Sequence, residues 1–281
     1  MKELIKKLLS LVRLYHPLQS SYYLTSVFLY SIFLKWRYSR KKGNHLICNI
    51  FQSSYSSFAP KYPKKNDTQA LSQNHVIAGF GENIICPNCM STARERLVVA
   101  MLKKYFDVGN KKVLLLSPEK KVFNFLKTKS DIITGDLNPG FYRHIDSKIS
   151  KIDLLSLPFA DAIFDIFIGN HILEHIPDDR TAMREVYRVL KYGGKVVMQV
   201  PFSESLPNTI EQSGINSPSI QSKLFGQSDH VRIYALSDYI LRLQDTGFDV
   251  NLITYSELSD YYINAIQPGE HFILISKPFK A

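Results

Sequence analysis

The run His171-Ile172-Leu173-Glu174-His175 gathers two imidazoles and a carboxylate within five positions, the residue types that move protons or hold metals near neutral pH. It spells the His-x-x-Glu-His order of an inverted zinc peptidase. That chemistry needs one sustained helix with both imidazoles on a single face. Here the run opens out of an apolar stretch and Pro177 follows two residues after it, so the peptidase reading fails. A milder metal reading, with His230 as a further donor, stands beside a structural one in which Glu174 and His175 support a turn. For Glu174 the structural role is the expectation. His171 and His175 are the candidate catalytic bases, placed to take a proton from an acceptor hydroxyl.

Two other carboxylates sit where apolar runs end. Asp136 closes the run from Asp131, roughly 20 residues after the Leu116-Ser117-Pro118-Glu119 loop, a spacing that suits a grip on both ribose hydroxyls. Asp153 closes the run Ile149–Leu154 and is positioned to accept from an adenine amino group, with Leu154 against the ring. Ser117, Pro118, Glu119, Asp136, Leu137, Asp153, Leu154 and Asn170 form the candidate cofactor-binding set.

The elements that must carry these residues are strands alternating with helices from Lys112 onward, the pattern of a parallel sheet covered by helices. Strands are expected at Val113–Leu116, Asp131–Asp136, Ile149–Leu154, Phe164–Gly169, Lys195–Val200, Asp249–Tyr255 and His271–Ile275. The helix carrying Ala182, Met183, Val186, Val189 and Leu190 starts at Asp178 or Asp179 and stops at Gly193-Gly194. Another is capped by Ser237 and stops at Gly247. The fold class is α/β, a seven-stranded, mostly parallel sheet with helices on both faces. In such sheets ligands lie beyond the carboxyl ends of the strands where their order reverses, and Asn170-His171 follow such an end.

From Asp153 to Gly194 the landmarks Asp153, Leu157-Pro158-Phe159, Asp161, Phe164-Asp165, His171-Ile172-Leu173-Glu174-His175, Arg188-Val189-Leu190-Lys191 and Gly193-Gly194 resemble the small-molecule branch of class I methyltransferases. The resemblance implies a Rossmann-like fold, S-adenosylmethionine as cofactor and methyl transfer, with O-methylation of a small-molecule, sugar or lipid-linked acceptor as the expected reaction. The first loop departs from the class because it lacks glycine, and Pro118 removes one backbone donor. Glu119 there either caps the following helix or meets the cofactor's ammonium group. A non-catalytic scaffold is the alternative, and an RNA methyltransferase a more distant one.

Cys86-Pro87-Asn88-Cys89 is a C-x-x-C, the spacing at which one turn brings two thiolates to a zinc ion. Cys48 is the remaining cysteine, and Phe51 stands where its partner is expected; His45 is a further candidate donor. Cys48, Cys86 and Cys89 are the candidate metal ligands, with a degenerate element held by packing as the alternative. Cys86-Pro87-x-Cys89-x-Ser91-x-x-Arg94-x-Arg96 is similar to the zinc-ribbon-like element preceding the methyltransferase domain in a bacterial group whose members carry two such pairs. Phe225-Gly226-Gln227, Asp229-His230-Val231-Arg232 and Tyr234 resemble the tail of that group. The expected organisation is a helical segment 1–45, a ribbon-like element with a linking helix 46–106, and a methyltransferase domain 107–281. Residues 52–74 read as a loop.

The net charge of +10 is concentrated: residues 1–65 hold 12 of the 35 basic groups and one acid, Glu3, so the remainder carries a net −1. A neutral main domain argues against a nucleic-acid partner. Leu4, Ile5, Leu8, Leu11, Val12 and Tyr15 follow helical spacing opposite Lys2, Lys6, Lys7 and Arg13, and an aromatic run from Tyr22 to Trp36 precedes Arg37, Arg40, Lys41 and Lys42. This pattern fits an interfacial helix on an anionic membrane surface as well as packing on the main domain. Three clustered cysteines and no cleavage-site pattern set the expectation of a reducing, cytoplasmic location, peripheral to the membrane.

Overall fold

A computed structural model describes residues 15–212 and 214–280. The amphipathic pattern expected over residues 4–12 lies outside the described residues. Helix α1 (Tyr15–Tyr38) leads into β1 (Lys42–Ile47), β2 (Ser54–Tyr55), β3 (Ala59–Lys61), α2 (Lys65–Gln73), β4 (Gly81–Ile85) and α3 (Ala93–Tyr105). Residues 52–74 are therefore more structured than their Ser, Pro and Lys content suggests. Strands β1–β2 and β3–β4 form two antiparallel pairs, and α2 buries Ala70 and Leu71.

The larger unit continues with β5 (Lys112–Leu116), α4 (Lys120–Leu126), β6 (Asp131–Asp136), β7 (Ser150–Lys151), β8 (Phe164–Ile168), α5 (Asp179–Val189) and β9 (Leu190–Val197). It ends with β10 (Phe202–Ser203), β11 (Ile210–Glu211), α6 (Pro218–Phe225), β12 (Arg232–Ala235), α7 (Leu236–Thr246), β13 (Asp249–Ile253) and β14 (Phe272–Ser276). Seven strands pair in the order β13-β14-β9-β8-β5-β6-β7. All neighbours are parallel except β14, which runs antiparallel to β13 and β9. The order reverses between β5 and β8, which makes the space beyond their carboxyl ends the expected ligand cleft.

Period-two alternation explains the layers. Leu114 and Leu116 of β5 face the cluster that α5 and α7 cover, while Val113 and Leu115 face the one under α3 and α4. Each fully buried aliphatic side chain contributes about 1.5–3 kcal/mol, so the two faces together drive closure of the sheet.

Local rules set several boundaries away from their expected places. Asp178, the N-cap of α5, accepts from the Thr181 amide, but the helix stops at Val189, before Gly193-Gly194. Leu190–Val197 is claimed by pairing with β8, and Gly193 (φ 74) instead makes a turn inside that strand. Ser237 does not cap α7; Ala235 holds that position without a side-chain bond, and Gly247 ends the helix in the left-handed region. The third strand shrinks to Ser150–Lys151, so Asp153 and Leu154 lie just past its end. A three-stranded sheet β10-β12-β11 was not expected; it joins the segments after β9 and before α7.

Candidate functional site

The first loop shows how a glycine-free turn holds its shape. Ser117 takes a left-handed backbone (φ 45) that glycine adopts without strain. Its hydroxyl donates to Asp136 Oδ2 at 2.6 Å, which offsets that cost, and the Asn138 amide donates to Asp136 Oδ1 at 2.6 Å. A carboxylate has about four acceptor sites, so Asp136 keeps capacity for ribose hydroxyls. Pro118 is buried and Leu137 is exposed beside Asp136.

Glu119 does not cap α4. That task falls to Glu95 of α3, whose Oε1 accepts from the Lys121 amide at 3.1 Å while Oε2 completes a capping box with Thr92. Glu119 is thereby free for the cleft, where Arg94 Nε donates to its Oε1 at 2.8 Å and Asn170 Nδ2 to its Oε2 at 3.0 Å. Asp153, exposed, accepts from the Leu155 amide at 2.9 Å. Leu154 is 5% exposed and packs in the core. It can offer an adenine ring little surface, which runs against the role expected for it.

A cleft of about 720 Å³ opens between Ser117, Pro118, Glu119, Tyr142, Asn170 and His171, within the range of small-molecule and cofactor sites. Helix α1 supplies another wall through Leu24, Val27, Phe28, Ser31 and Lys35. Burial, with Asp136 nearby, pushes the Tyr142 hydroxyl up to about 12, so it stays a neutral donor. Two buried atoms at the cleft, Asn170 Oδ1 and His171 Nε2, have no protein partner. Buried polar groups are normally paired, so these two atoms are candidates to contact a ligand in the cleft. Cleft size, Asp136 and the Glu119–Asn170 bridge all fit a nucleoside-bearing cofactor with an amino-acid tail.

His171 also occupies the left-handed region (φ 53), held by its amide on the Gln199 carbonyl at 2.8 Å. Its Nδ1 lies 3.3 Å from Glu174 Oε1. Burial, aided by Arg94, brings the imidazole down to about 4, so it is neutral at pH 7. Burial pushes the Glu174 carboxyl up, but the His171 hydrogen bond and the neighbouring imidazoles outweigh it and hold Glu174 near 2. The sequence treats Glu174 as a turn support; the structure makes it a buried carboxylate beside three histidines. Arg232 holds this turn by donating to the carbonyls of Leu173, Ile176 and Pro177. His175 is 29% exposed, with Nδ1 3.2 Å from the Asp229 carbonyl.

The three cysteines also converge, with their sulfurs within 4.8 Å of one another. The Cys48 and Cys86 loops repeat one geometry. Each Cys amide bonds the carbonyl five residues on (Ser53, Ser91), and each Cys carbonyl accepts from the residue four on (Gln52, Met90), whose φ is positive. The repeat sets Phe51 in register with Cys89, and Phe51 is exposed at 63%. His45 is not in the cluster. Three thiols therefore fit three corners of a tetrahedral zinc site, with no fourth Cys, His or carboxylate in the cluster among the described residues. Beside them Arg96, fully buried, donates to the carbonyls of Ser91, Asn83, Ile84, Asn264 and Ala265. Its hydrogen-bond acceptors are neutral; the three cysteines and Glu95 are the nearby groups that can offset its charge.

Residues 119–198 match the family model described as a methyltransferase domain. The chain is 30% identical over 174 residues to the ubiquinone/menaquinone biosynthesis C-methyltransferase UbiE of Rickettsia prowazekii (strain Madrid E), covering 59% of this chain and 63% of that one. It is 40% identical over 68 residues to the demethylmenaquinone methyltransferase of Streptomyces griseus, covering 24% and 30%. Among solved structures, an S-adenosylmethionine dependent methyltransferase from Mesorhizobium loti aligns with a TM-score of 0.47 at 12% identity, over 63% of this chain and 94% of that one. The chain thus spans less than two thirds of the length of these curated relatives. The strand order and the matched segment agree: residues 119–198 match a methyltransferase domain and lie within a Rossmann-like α/β sheet of the kind S-adenosylmethionine-dependent methyltransferases have.

Proposed function

We propose that the protein transfers the methyl group of S-adenosylmethionine to a phenolic, lipid-borne acceptor. The observation that carries this reading is the His171–Glu174 pair at the cleft. With Nδ1–H donated to the carboxylate, the buried Nε2 presents a lone pair that no protein group uses. The cofactor supplies an electrophilic methyl on a sulfonium; the chain's own residues have to align the acceptor and take its proton. Asp136 and Asp153 hold the nucleoside end, Glu119 meets the ammonium group, and His171 accepts the proton. A phenol deprotonated there is nucleophilic at oxygen and at the neighbouring ring carbon. The same base therefore serves the O-methylation expected from sequence and the C-methylation named for the quinone-pathway relatives.

Helix α1 supports the lipid-borne part. Leu34 and Tyr38 anchor it on the cysteine element, while Phe28, Leu29, Ile32, Phe33 and Trp36 are all at least 49% exposed. Among the described residues no helix is long and apolar enough to cross a membrane. A helix with such a face, followed by Arg37, Arg40 and Lys41, suits the headgroup boundary.

The test is methyl-labelled cofactor offered with reduced quinols in anionic vesicles and, separately, with water-soluble catechols. Label extractable with the lipid is expected. Label in the catechols alone would overturn the lipid-borne acceptor, and no transfer to either would overturn the reaction.

A further inference from the structure

A second cavity of about 190 Å³ is lined by Arg94, His171, Glu174, His175 and His230 among others. His171 and Arg94 line both cavities. The chain brings these groups together from distant segments: the Val231 amide bonds the Glu174 carbonyl at 2.9 Å, which seats His230 beside the turn. The rings of His175 and His230 meet edge to face with centroids 4.7 Å apart.

We propose that Glu174, His175 and His230 form a binding site for a divalent first-row transition cation. One donor atom from each lies within 4.8 Å of the others. Glu174 is 2% exposed, and its Oε2 is buried with no hydrogen-bond partner, a costly arrangement for a carboxylate unless a cation completes it. His175 is oriented from its far side, as metal-bound histidines are: its Nδ1 meets the Asp229 carbonyl at 3.2 Å, which leaves Nε2 for a ligand. Two imidazoles and one carboxylate make the donor set of an N/O site with open positions, distinct from the thiolate cluster. Arg94 lines the cavity, but its charge is met by Glu119 at 2.8 Å. Glu174, His175, His230 and His171 all line this cavity, so an ion held by the first three would be placed to hold an acceptor oxygen next to His171. That last role rests on the proposed methyl transfer; the metal site itself does not.

Manganese(II) separates this site from the cysteines, because it prefers nitrogen and oxygen donors to thiolate. The full chain, stripped with chelator and dialysed, is titrated with Mn²⁺ while the free-ion electron paramagnetic resonance signal is followed. Uptake of one equivalent is expected. Glu174→Gln and, separately, the part-exposed His175→Gln should each weaken it by more than about 100-fold, beyond the 10–100-fold typical of outer partners. Melting of the metal-free variants shows that each is folded. No uptake by the parent protein, or uptake unchanged in both folded variants, overturns the site. Binding of S-adenosylhomocysteine to the metal-free protein is measured in parallel, so loss of the cofactor reading and loss of the metal site are told apart.

Discussion

Asn170 Nδ2 donates to Glu119 Oε2 at 3.0 Å, tying the loop after β8 to the loop after β5 across the point where strand order reverses. Arg94 holds the other oxygen, so the carboxylate is fixed before any ligand arrives. Charge-assisted hydrogen bonds are worth about 1.5–3 kcal/mol. Glu119→Ala should therefore weaken S-adenosylhomocysteine binding by about 10- to 100-fold in calorimetry and, by leaving Arg94 without its partner, also lower the thermal midpoint.

The role proposed for His171 is on the acceptor's proton and not on the cofactor. His171→Ala should lower turnover by about 100-fold or more, while S-adenosylhomocysteine affinity changes less than about threefold. Equal losses in both would remove His171 from the proton-transfer role.

The repeat between the two cysteine loops makes Phe51 the missing fourth corner. Phe51→Cys should turn a three-thiol cluster into a four-thiolate site and tighten zinc by about 100-fold or more, as measured by competition with a chromophoric chelator. The figure takes one ligand's share of the ~10–16 kcal/mol of a four-ligand structural site. Affinity unchanged from the parent would show that the two loops are not equivalent.

Glu270 is 5% exposed, and burial, partly countered by Arg94, raises its carboxyl from 4.5 to about 8. The folded state then holds a proton that the unfolded chain releases above pH 4.5. Its contribution to stability is therefore greatest at acid pH and is lost as pH climbs from 4.5 to 8, by at most roughly 5 kcal/mol. Glu270→Gln should flatten the dependence of the chemical-denaturation midpoint on pH and raise it at pH 8. An unchanged slope would contradict the assignment.

The sheet was legible because each main strand is a short aliphatic run and each turn carries its punctuation. Asp136 and Asn170-His171 could be placed because strand ends in a parallel sheet define where ligands go. What the sequence concealed depends on long-range pairing. Leu190–Gly194 extends the helical stripe in sequence yet joins the strand expected from Lys195, because β8 pairs with Leu190 as well as with Lys195–Val197. Glu95 caps a helix 26 residues away, a partnership with no local signature, so the sequence leaves capping and ligand binding both open for Glu119. Glu174 reads as a turn residue until β12 brings His230 beside it, although the doubled His-x-x-Glu-His and Asp229-His230 motifs were the available signal. The loop reading of 52–74 weighed composition above the short pairings that β4 and α6 impose.

The Ser117–Asp136 cradle is the proposed seat of the methyl donor. Calorimetric titration of the full chain with S-adenosylhomocysteine, beside Asp136→Ala, tests it most directly. Binding at micromolar affinity that falls by about 100-fold in the folded variant is the predicted result. No binding to the parent protein, or equal binding to both, would contradict it.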